Sequence, residues 1–453
     1  MRLKGFSVEK LFGLFDHNVP FNLDERVTII HAPNGFGKTV LLKMIAGMFG
    51  GSLNVFRAYE FSSVAFFFED GSRLEVSQGA SQQELPITKG RRESRSYQID
   101  YVSNGERQSW NPDERGSAEV TISPGVFERV VPHVHRLSSR QWQDRARGDI
   151  VSYSEIVDRY WDSLPPSARR RGHQPPWLEG IRGSIHCRLI ETQRLVAPDR
   201  RDTPFAREEE GPIPAVKAYT NELSFSIGKL LAESATLAQT LDQTFPNRLL
   251  ERMHDPDAPS EESLRTKLAD LEKRRSRLAK AGLLNKSDEG AISPTVKLDV
   301  NTRKILAEYV HDTSSKLDFY TPMLRKLELF TDILNARYKF KTVRTSRSAG
   351  VDIKDHRGQP LTPESLSSGE QHELILIYDL LFKTNTNTLI LIDEPEISLH
   401  VAWQKRFIPD LQRIIELTEV DAVLATHSAQ IIGSYLDLTV QLQGPDGEVL
   451  DSQ

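Results

Sequence analysis

Ala32-Pro-Asn34-Gly35-Phe-Gly37-Lys38-Thr39 brings two glycines, a lysine and a hydroxyl into one short loop, a set of residue types suited to cradling phosphate. Successive backbone N–H groups can curl round phosphate oxygens, and Gly35 and Gly37 let the chain come close. Lys38 supplies a point charge, Thr39 offers a hydroxyl to a divalent cation, and Ala32 stands at the first small-residue position. A loop of this form turns up by chance in roughly one chain in thirty at this length, so it needs company. Leu389-Ile-Leu-Ile-Asp393-Glu394 provides it, as an apolar run of the kind that forms a central parallel strand and delivers carboxylates to its carboxyl edge. Asp393 is placed to steady a cation, and Glu394 to take a proton from an attacking water. His427 follows the apolar strand Asp421–Thr426 and reaches the same edge as a donor to a terminal phosphate. Leu366-Ser367-Ser368-Gly369-Glu370-Gln371 opens a helix, so Ser367, Ser368 and the N–H groups around Gly369 form a second anion nest. Taken singly, these segments also read as a strand end with solvated acids, a hydrogen-bonded histidine and a plain helix cap. One polypeptide cannot easily wrap both helix starts round the same terminal phosphate, so the pattern predicts two copies facing head to tail across two nucleotides.

The elements that must position these groups follow from periodicity. Residues 2–9, 15–21 and 26–31 alternate as strands, the third running into the loop, and Val40–Phe49 reads as a helix stopped by Gly50-Gly51. From 61 to 123, alternating runs are separated by turn signals at Glu69-Asp70-Gly71, Ser103-Asn104-Gly105 and Pro124-Gly125, which predicts a small antiparallel subdomain. Two long amphipathic stretches, 216–283 and 301–337, flank a polar segment and predict a helical hairpin. Leu264, Leu268, Leu271 and Leu278 form one seam, and Leu317, Tyr320, Leu324, Leu327 and Phe330 the other. A short coiled coil and an ordinary helical bundle both satisfy that pattern. The expected fold class is α/β: a head with an antiparallel β-subdomain and an inserted helical or short coiled-coil arm. The expected boundaries are 1–125 for the first part of the head, 126–183 for a helical insert, 184–215 for a return to the head, 216–337 for the arm and 338–453 for the second part of the head.

Composition narrows the function classes. The chain has 453 residues and a formal net charge of -5, which does not suggest a surface that grips nucleic acid indiscriminately. Cys187 is the single cysteine, so neither an intramolecular disulfide framework nor a cysteine-based zinc cluster is available, as befits a reducing cytosol. Met1–Val8 lacks the apolar core of a signal peptide, and the longest apolar stretch, Leu374–Phe382, is interrupted by Asp379 and too short to span a bilayer. A cytoplasmic protein without membrane partners is expected.

The four segments in this order resemble the ABC-type ATPases of the SMC-like branch. The likeness sets a Walker A motif at 32–39, a signature at 366–371, a Walker B motif at 389–394, a D-loop at Ser398-Leu399-His400 and a switch histidine at His427. It implies ATP and Mg²⁺ as ligands, a P-loop head, and Gln193 as the residue linking the cation and the attacking water to the inserted arm. The signature departs from LSGGQ at Ser368 and Glu370, neither of which removes the nest. Within the branch, Asp393-Glu-Pro-Glu-Ile-Ser-Leu-His400 and Ser367–Gln371 look like the OLD-type ATPases of bacterial phage defence. OLD proteins end in a Toprim nuclease, whereas nothing between 60 and 350 or after His427 offers a clustered acidic nuclease site here. The chain is accordingly similar to the stand-alone ATPase subunits of two-gene defence systems, PARIS first and Septu second. Those imply a slow, regulatory ATPase that dimerises head to tail or assembles further, and that holds or releases a separate Toprim or HNH effector nuclease on a phage protein or DNA trigger. The alternative is an SMC-like DNA repair or chromosome-handling ATPase that grips duplex through the basic stretch Arg136–Arg171, against which the overall acidity argues. A transporter subunit is set aside because such ATPases lack a helical arm of this length between their halves.

Overall fold

The computed structural model describes residues 1–50, 52–79, 95–112, 124–131, 134–138, 141–144, 149–153, 156, 160, 174–191, 214–285, 298–397 and 399–445. Along the chain come β1 (Leu3–Leu11), β2 (Phe15–Pro20), β3 (Val27–His31), α1 (Lys38–Phe49), β4 (Ser63–Phe68), β5 (Arg73–Gln78), β6 (Tyr97–Ser103) and β7 (Glu106–Trp110). Next are β8 (Val134–Arg136), β9 (Gln141–Asp144), β10 (Asp149–Ser152), α2 (Pro176–Ser184) and β11 (His186–Ile190). Then follow α3 (Ala215–His254), α4 (Glu261–Lys280), α5 (Val300–Asp318), α6 (Thr321–Arg337), β12 (Lys341–Ser346), β13 (Gly350–Asp355), β14 (Pro360–Leu361) and α7 (Ser368–Phe382). The chain closes with β15 (Thr388–Asp393), α8 (Phe407–Thr418), β16 (Asp421–Thr426) and β17 (Thr439–Gln441). It divides into two compact units, one of Met1–Ala215 with Lys383–Gln453 and one of Val216–Phe382.

In the first unit, β11-β15-β16-β3-β17 form a five-stranded sheet, parallel throughout. Parallel strands buried on both faces need continuous apolar runs, and every residue of β15 is buried. The expected antiparallel subdomain is present as the sheet β2-β1-β4-β5-β6-β7. Alternation in β4 buries Val64, Phe66 and Phe68 and leaves Ser63, Ala65 and Phe67 half-buried, the period of two that gives one face to a core. That core also takes Leu41, Ile45 and Met48 of α1 and Leu391 and Val423 of the parallel sheet, so α1 is packed on both sides. Phe49 lies edge-on to Phe66 and Phe68, with ring centroids 5.4 and 6.1 Å apart.

The stretch 126–183, expected to be helical, carries a three-stranded antiparallel sheet, β10-β9-β8, among its described residues. Gln141-Trp142-Gln143-Asp144 alternates, so Trp142 and Asp144 turn inward, and Trp142 joins Phe127, Val131, Val134 and Ile156 in a small core of its own. Tyr160 donates its hydroxyl to the buried Asp144 at 2.8 Å.

In the second unit the two amphipathic stretches are four helices. Pro256 and Pro259 break the first between α3 and α4, and Pro322 sits in the first turn of α6, separating it from α5. Leu264, Leu271 and Leu278 are buried at seven-residue spacing in α4, and Arg274 and Arg277 of the same helix pair with Asp318 and Glu328 at 2.6 and 2.7 Å. The unit also runs beyond the expected boundary at 337, to Phe382, because the β12–β14 sheet and α7 belong to it. Gly350 shows why the β12–β13 turn fits there: its φ is +68°, and a Cβ would fall 2.0 Å from the carbonyl oxygen of Thr220 in α3.

Candidate nucleotide site

β3, β15 and β16 run in register, Thr426 beside His31 and Asp393 beside Ala425, so the segments that follow them emerge at one carboxyl edge. From β3 comes the glycine loop. Gly35 and Gly37 have φ of +93° and +83°, and a Cβ at Gly37 would lie 2.7 Å from Leu11 Cδ2, so only glycine fits. A Cβ at Gly35 would meet nothing within 4 Å, which leaves that side of the loop open. Gly37 is the N-cap of α1, where no side chain caps the first-turn N–H groups. Lys38 Nζ turns back into the loop and donates to the carbonyls of Ala32 at 2.8 Å and Pro33 at 3.1 Å. Burial pushes the Lys38 ammonium below its usual range, opposed by the Glu394, Glu396 and Asp393 carboxylates.

The loop is braced from below by His17, which is 4% exposed. Its Nε2 lies 3.0 Å from the carbonyl oxygen of Phe36, which requires a donor there and leaves the buried Nδ1 without a partner among the described residues. Burial holds the His17 ring below its usual range and so in the neutral form, stacked on Phe15.

β15 ends on the two acids. Thr39 donates its hydroxyl to the Asp393 carboxylate, 3.0 Å from either oxygen, joining residues 354 positions apart. Burial raises the Asp393 carboxyl above the usual range, the Thr39 hydrogen bond lowers it, and the Glu394 and Glu191 charges raise it further. Glu394 has φ +43°, an uncommon conformation for a branched-free acid, held by its N–H donating to Ala425 at 2.9 Å. Its side chain remains partly exposed.

A further acid, not singled out by the sequence reading, sits between these groups. Glu396 is 7% exposed, and its Oε1 accepts from the Thr426 hydroxyl at 2.8 Å and the His427 N–H at 2.9 Å. The same oxygen is 3.1 Å from His427 Nδ1, whereas Glu394 Oε1 is 4.0 Å away. An acid after a proline reads as a solvated loop residue, and only the Thr426-His427 pair opposite it gives it another meaning. Ser428 extends the arrangement by donating to Gln404 Oε1 at 2.8 Å. His400 caps the turn at Val401–Gln404, its Nδ1 accepting from the Ala402 N–H. Gln193 and Ser398 lie outside the described residues. Asn34 lies in the glycine loop, exposed.

Ser367, Ser368 and Gly369 belong to the second unit. Glu370 Oε2 accepts from both the N–H and the hydroxyl of Ser367, at 2.9 and 2.8 Å, which closes a capping box at the start of α7. Lys341 Nζ donates to both Glu370 oxygens at 2.6 and 2.8 Å, and the Tyr338 hydroxyl donates to the Glu370 carbonyl at 2.5 Å. Burial works to raise the Glu370 carboxyl, but Lys341 and Ser367 together hold it below its usual range. The expectation of a bare nest is therefore modified, because the Ser367 hydroxyl is engaged inside the helix cap.

The donor set suits Mg²⁺ bound with a nucleotide. Among the described residues no group of three or more His, Cys, Asp or Glu side chains gathers to hold a metal. One hydroxyl and one carboxylate, Thr39 and Asp393, are what a cation that keeps its waters and takes phosphate oxygens requires.

Residues 201–433 match the family described as "AAA domain, putative AbiEii toxin, Type IV TA system". The chain belongs to this AAA-domain family. The matched residues include Asp393, Glu394, Glu396 and His427, while the glycine loop lies upstream. No curated protein matches. Among solved structures the chain is similar to an Smc head domain with an extended coiled coil, bound to the C-terminal domain of ScpA, from Pyrococcus furiosus. The identity is 12%, over 95% of this chain and 91% of that one, with a TM-score of 0.34. An SMC head domain from Thermotoga maritima is 11% identical over 97% and 94%, with a TM-score of 0.32. Likenesses this loose add nothing to the strand order already described. Among the described residues no helix is long and apolar enough to cross a membrane.

Proposed function

We propose that this AAA-domain protein binds ATP with Mg²⁺ at the carboxyl edge of the parallel sheet and hydrolyses it slowly. The observation that carries this reading is the Thr39–Asp393 contact, which unites the ends of two distant motifs beside an open glycine loop. Lys38 exchanges its two loop carbonyls for phosphate oxygens, a stronger partner for an ammonium. Thr39 and Asp393 hold the cation, whose charge offsets that of the phosphates. Glu394 takes the proton of the attacking water, and His427 donates to the terminal phosphate. Gln193 links the cation and the attacking water to the inserted arm. Ser367, Ser368 and Gly369 complete the site of a second copy, head to tail, so that ATP clamps a dimer.

In its biological setting we read the chain as the ATPase of a two-component anti-phage system that retains or frees a separate effector nuclease. Membership in a family described by a toxin of a type IV toxin–antitoxin system supports a two-component arrangement. Glu394→Gln tests the chemistry. It keeps ATP binding, slows hydrolysis by about 100-fold or more, and accumulates an ATP-bound dimer seen by light scattering. Turnover at the unmodified rate would remove Glu394 from its role. Copurification of the neighbouring gene product tests the setting, and ATP-dependent duplex binding that falls steeply with salt would move the reading to DNA handling.

A further inference from the structure

Glu396 is placed unlike either acid that precedes it. Asp393 faces Thr39 and Glu394 stays partly exposed, but Glu396 is turned into the protein, against Thr426 and His427. The Thr426 hydroxyl and the His427 N–H both donate to its Oε1, the His427 ring nitrogen Nδ1 lies 3.1 Å from the same atom, and its buried Oε2 has no hydrogen-bond partner among the described residues. A carboxylate can only accept, and a bare imidazole nitrogen 3.1 Å from it would set lone pair against lone pair, so the arrangement favours the ring form with the hydrogen on Nδ1. That leaves Nε2 as the ring atom directed away from Glu396.

We propose that Glu396 is the positioning residue of the site: it holds His427 through Nδ1–H, so that Nε2 meets the terminal phosphate, and it keeps the ring off Glu394. The second part follows from the two distances. Nδ1 lies 3.1 Å from Glu396 and 4.0 Å from Glu394, so the buried acid satisfies the ring and the exposed one stays free for water. Without Glu396, Glu394 is the carboxylate left within 4.0 Å of Nδ1 among the described residues, and a base engaged by a histidine is a poorer base. The orphaned Oε2 fits the same role. A carboxylate held this rigidly, with one oxygen unanswered, spends stability on orientation, as residues supporting a reactive group often do.

This proposal rests on the ATPase reading only for its kinetic consequence. The hydrogen position is testable in the unmodified full chain without turnover, by histidine ¹⁵N–¹³C correlation spectra with His427 assigned by loss of its signals in His427→Asn. The expected result is protonated Nδ1 in the nucleotide-free chain; the Nε2–H tautomer would overturn the proposal. For kinetics, Glu396→Gln is paired with Glu396→Ala, each checked by thermal melting. Both are expected to lower kcat about tenfold or more while the KM for ATP changes less than threefold. In Glu396→Ala the His427 spectrum is expected to shift as well. Adding Glu396→Ala to His427→Ala is expected to cost less than threefold further, because the acid acts through the ring. Full additivity of the two, or an unchanged spectrum in Glu396→Ala, would overturn it. If no variant nor the unmodified chain hydrolyses ATP while the Nδ1–H signature is present, the ATPase reading fails and the positioning stands.

Discussion

At the start of α7, Ser367 and Glu370 satisfy each other and Lys341 seals the pair; at the end of the parallel sheet, Lys38 settles for two carbonyls of its own loop. The charges tell the same story with opposite signs. Glu370 is held below its usual range by its partners, whereas burial and neighbouring acids raise Asp393, and burial lowers Lys38. Two helix starts with similar glycine-containing sequences thus have different characters. One is closed on itself. The other keeps desolvated charges that gain from a ligand, the usual compromise between stability and function.

The sharpest way to break the contrast is at Lys38. Lys38→Ala is expected to weaken ATP binding about 100-fold, since one strong charge-assisted contact is lost, and to abolish thermal stabilisation by ATP and Mg²⁺ in a melting assay. An intermediate effect is expected at the closed helix start. Ser367→Ala removes the cap and costs about 1 kcal/mol locally, read as faster amide exchange at Gly369–Gln371, with ATP binding by the single copy unchanged and hydrolysis by the dimer lost. Glu370→Gln sharpens this through pH. A carboxyl depressed on folding contributes stability above its unfolded value near about 4.3, and that contribution is lost as pH falls through the folded value. The stability gap between the unmodified chain and Glu370→Gln should therefore be full at neutral pH and close below about pH 4. The smallest effect is expected at Asp393. A carboxyl raised on folding destabilises above its folded value, so Asp393→Asn should raise the ligand-free melting temperature by about 2 °C at pH 7 while removing the response to Mg²⁺. A lower melting temperature would show that the Thr39 hydrogen bond outweighs the burial of the charge.

The groups gathered at the sheet edge were legible where function and element coincide. Val27–His31 into the glycine loop, Thr388–Asp393 into the acids and Asp421–Thr426 into His427 each read as an apolar strand followed by its chemistry. Glu396 was not, because nothing local separates a buried acceptor from a solvated loop acid; its partners come from β16. The capping box is legible as Ser-x-x-Glu, where the acid that closes it is the residue an anion nest built from Ser367, Ser368 and Gly369 leaves out. In the helical unit the amphipathic pattern runs on across Pro256, Pro259 and Pro322, so periodicity alone gives two helices where the prolines divide them into four. The β8–β10 sheet escaped because its strands are three or four residues long, too short for alternation to stand out.

The neighbours of β3 in the parallel sheet are β16 on one side and β17 on the other. During synthesis, then, a nascent chain carries its phosphate loop through the ribosome long before either flanking strand exists. Until residues 421–441 emerge, that strand has both edges bare, which exposes it to wrong pairing. The same layout means that the sheet closes only when residues from both ends of the chain, 27–31 and 388–441, are present together.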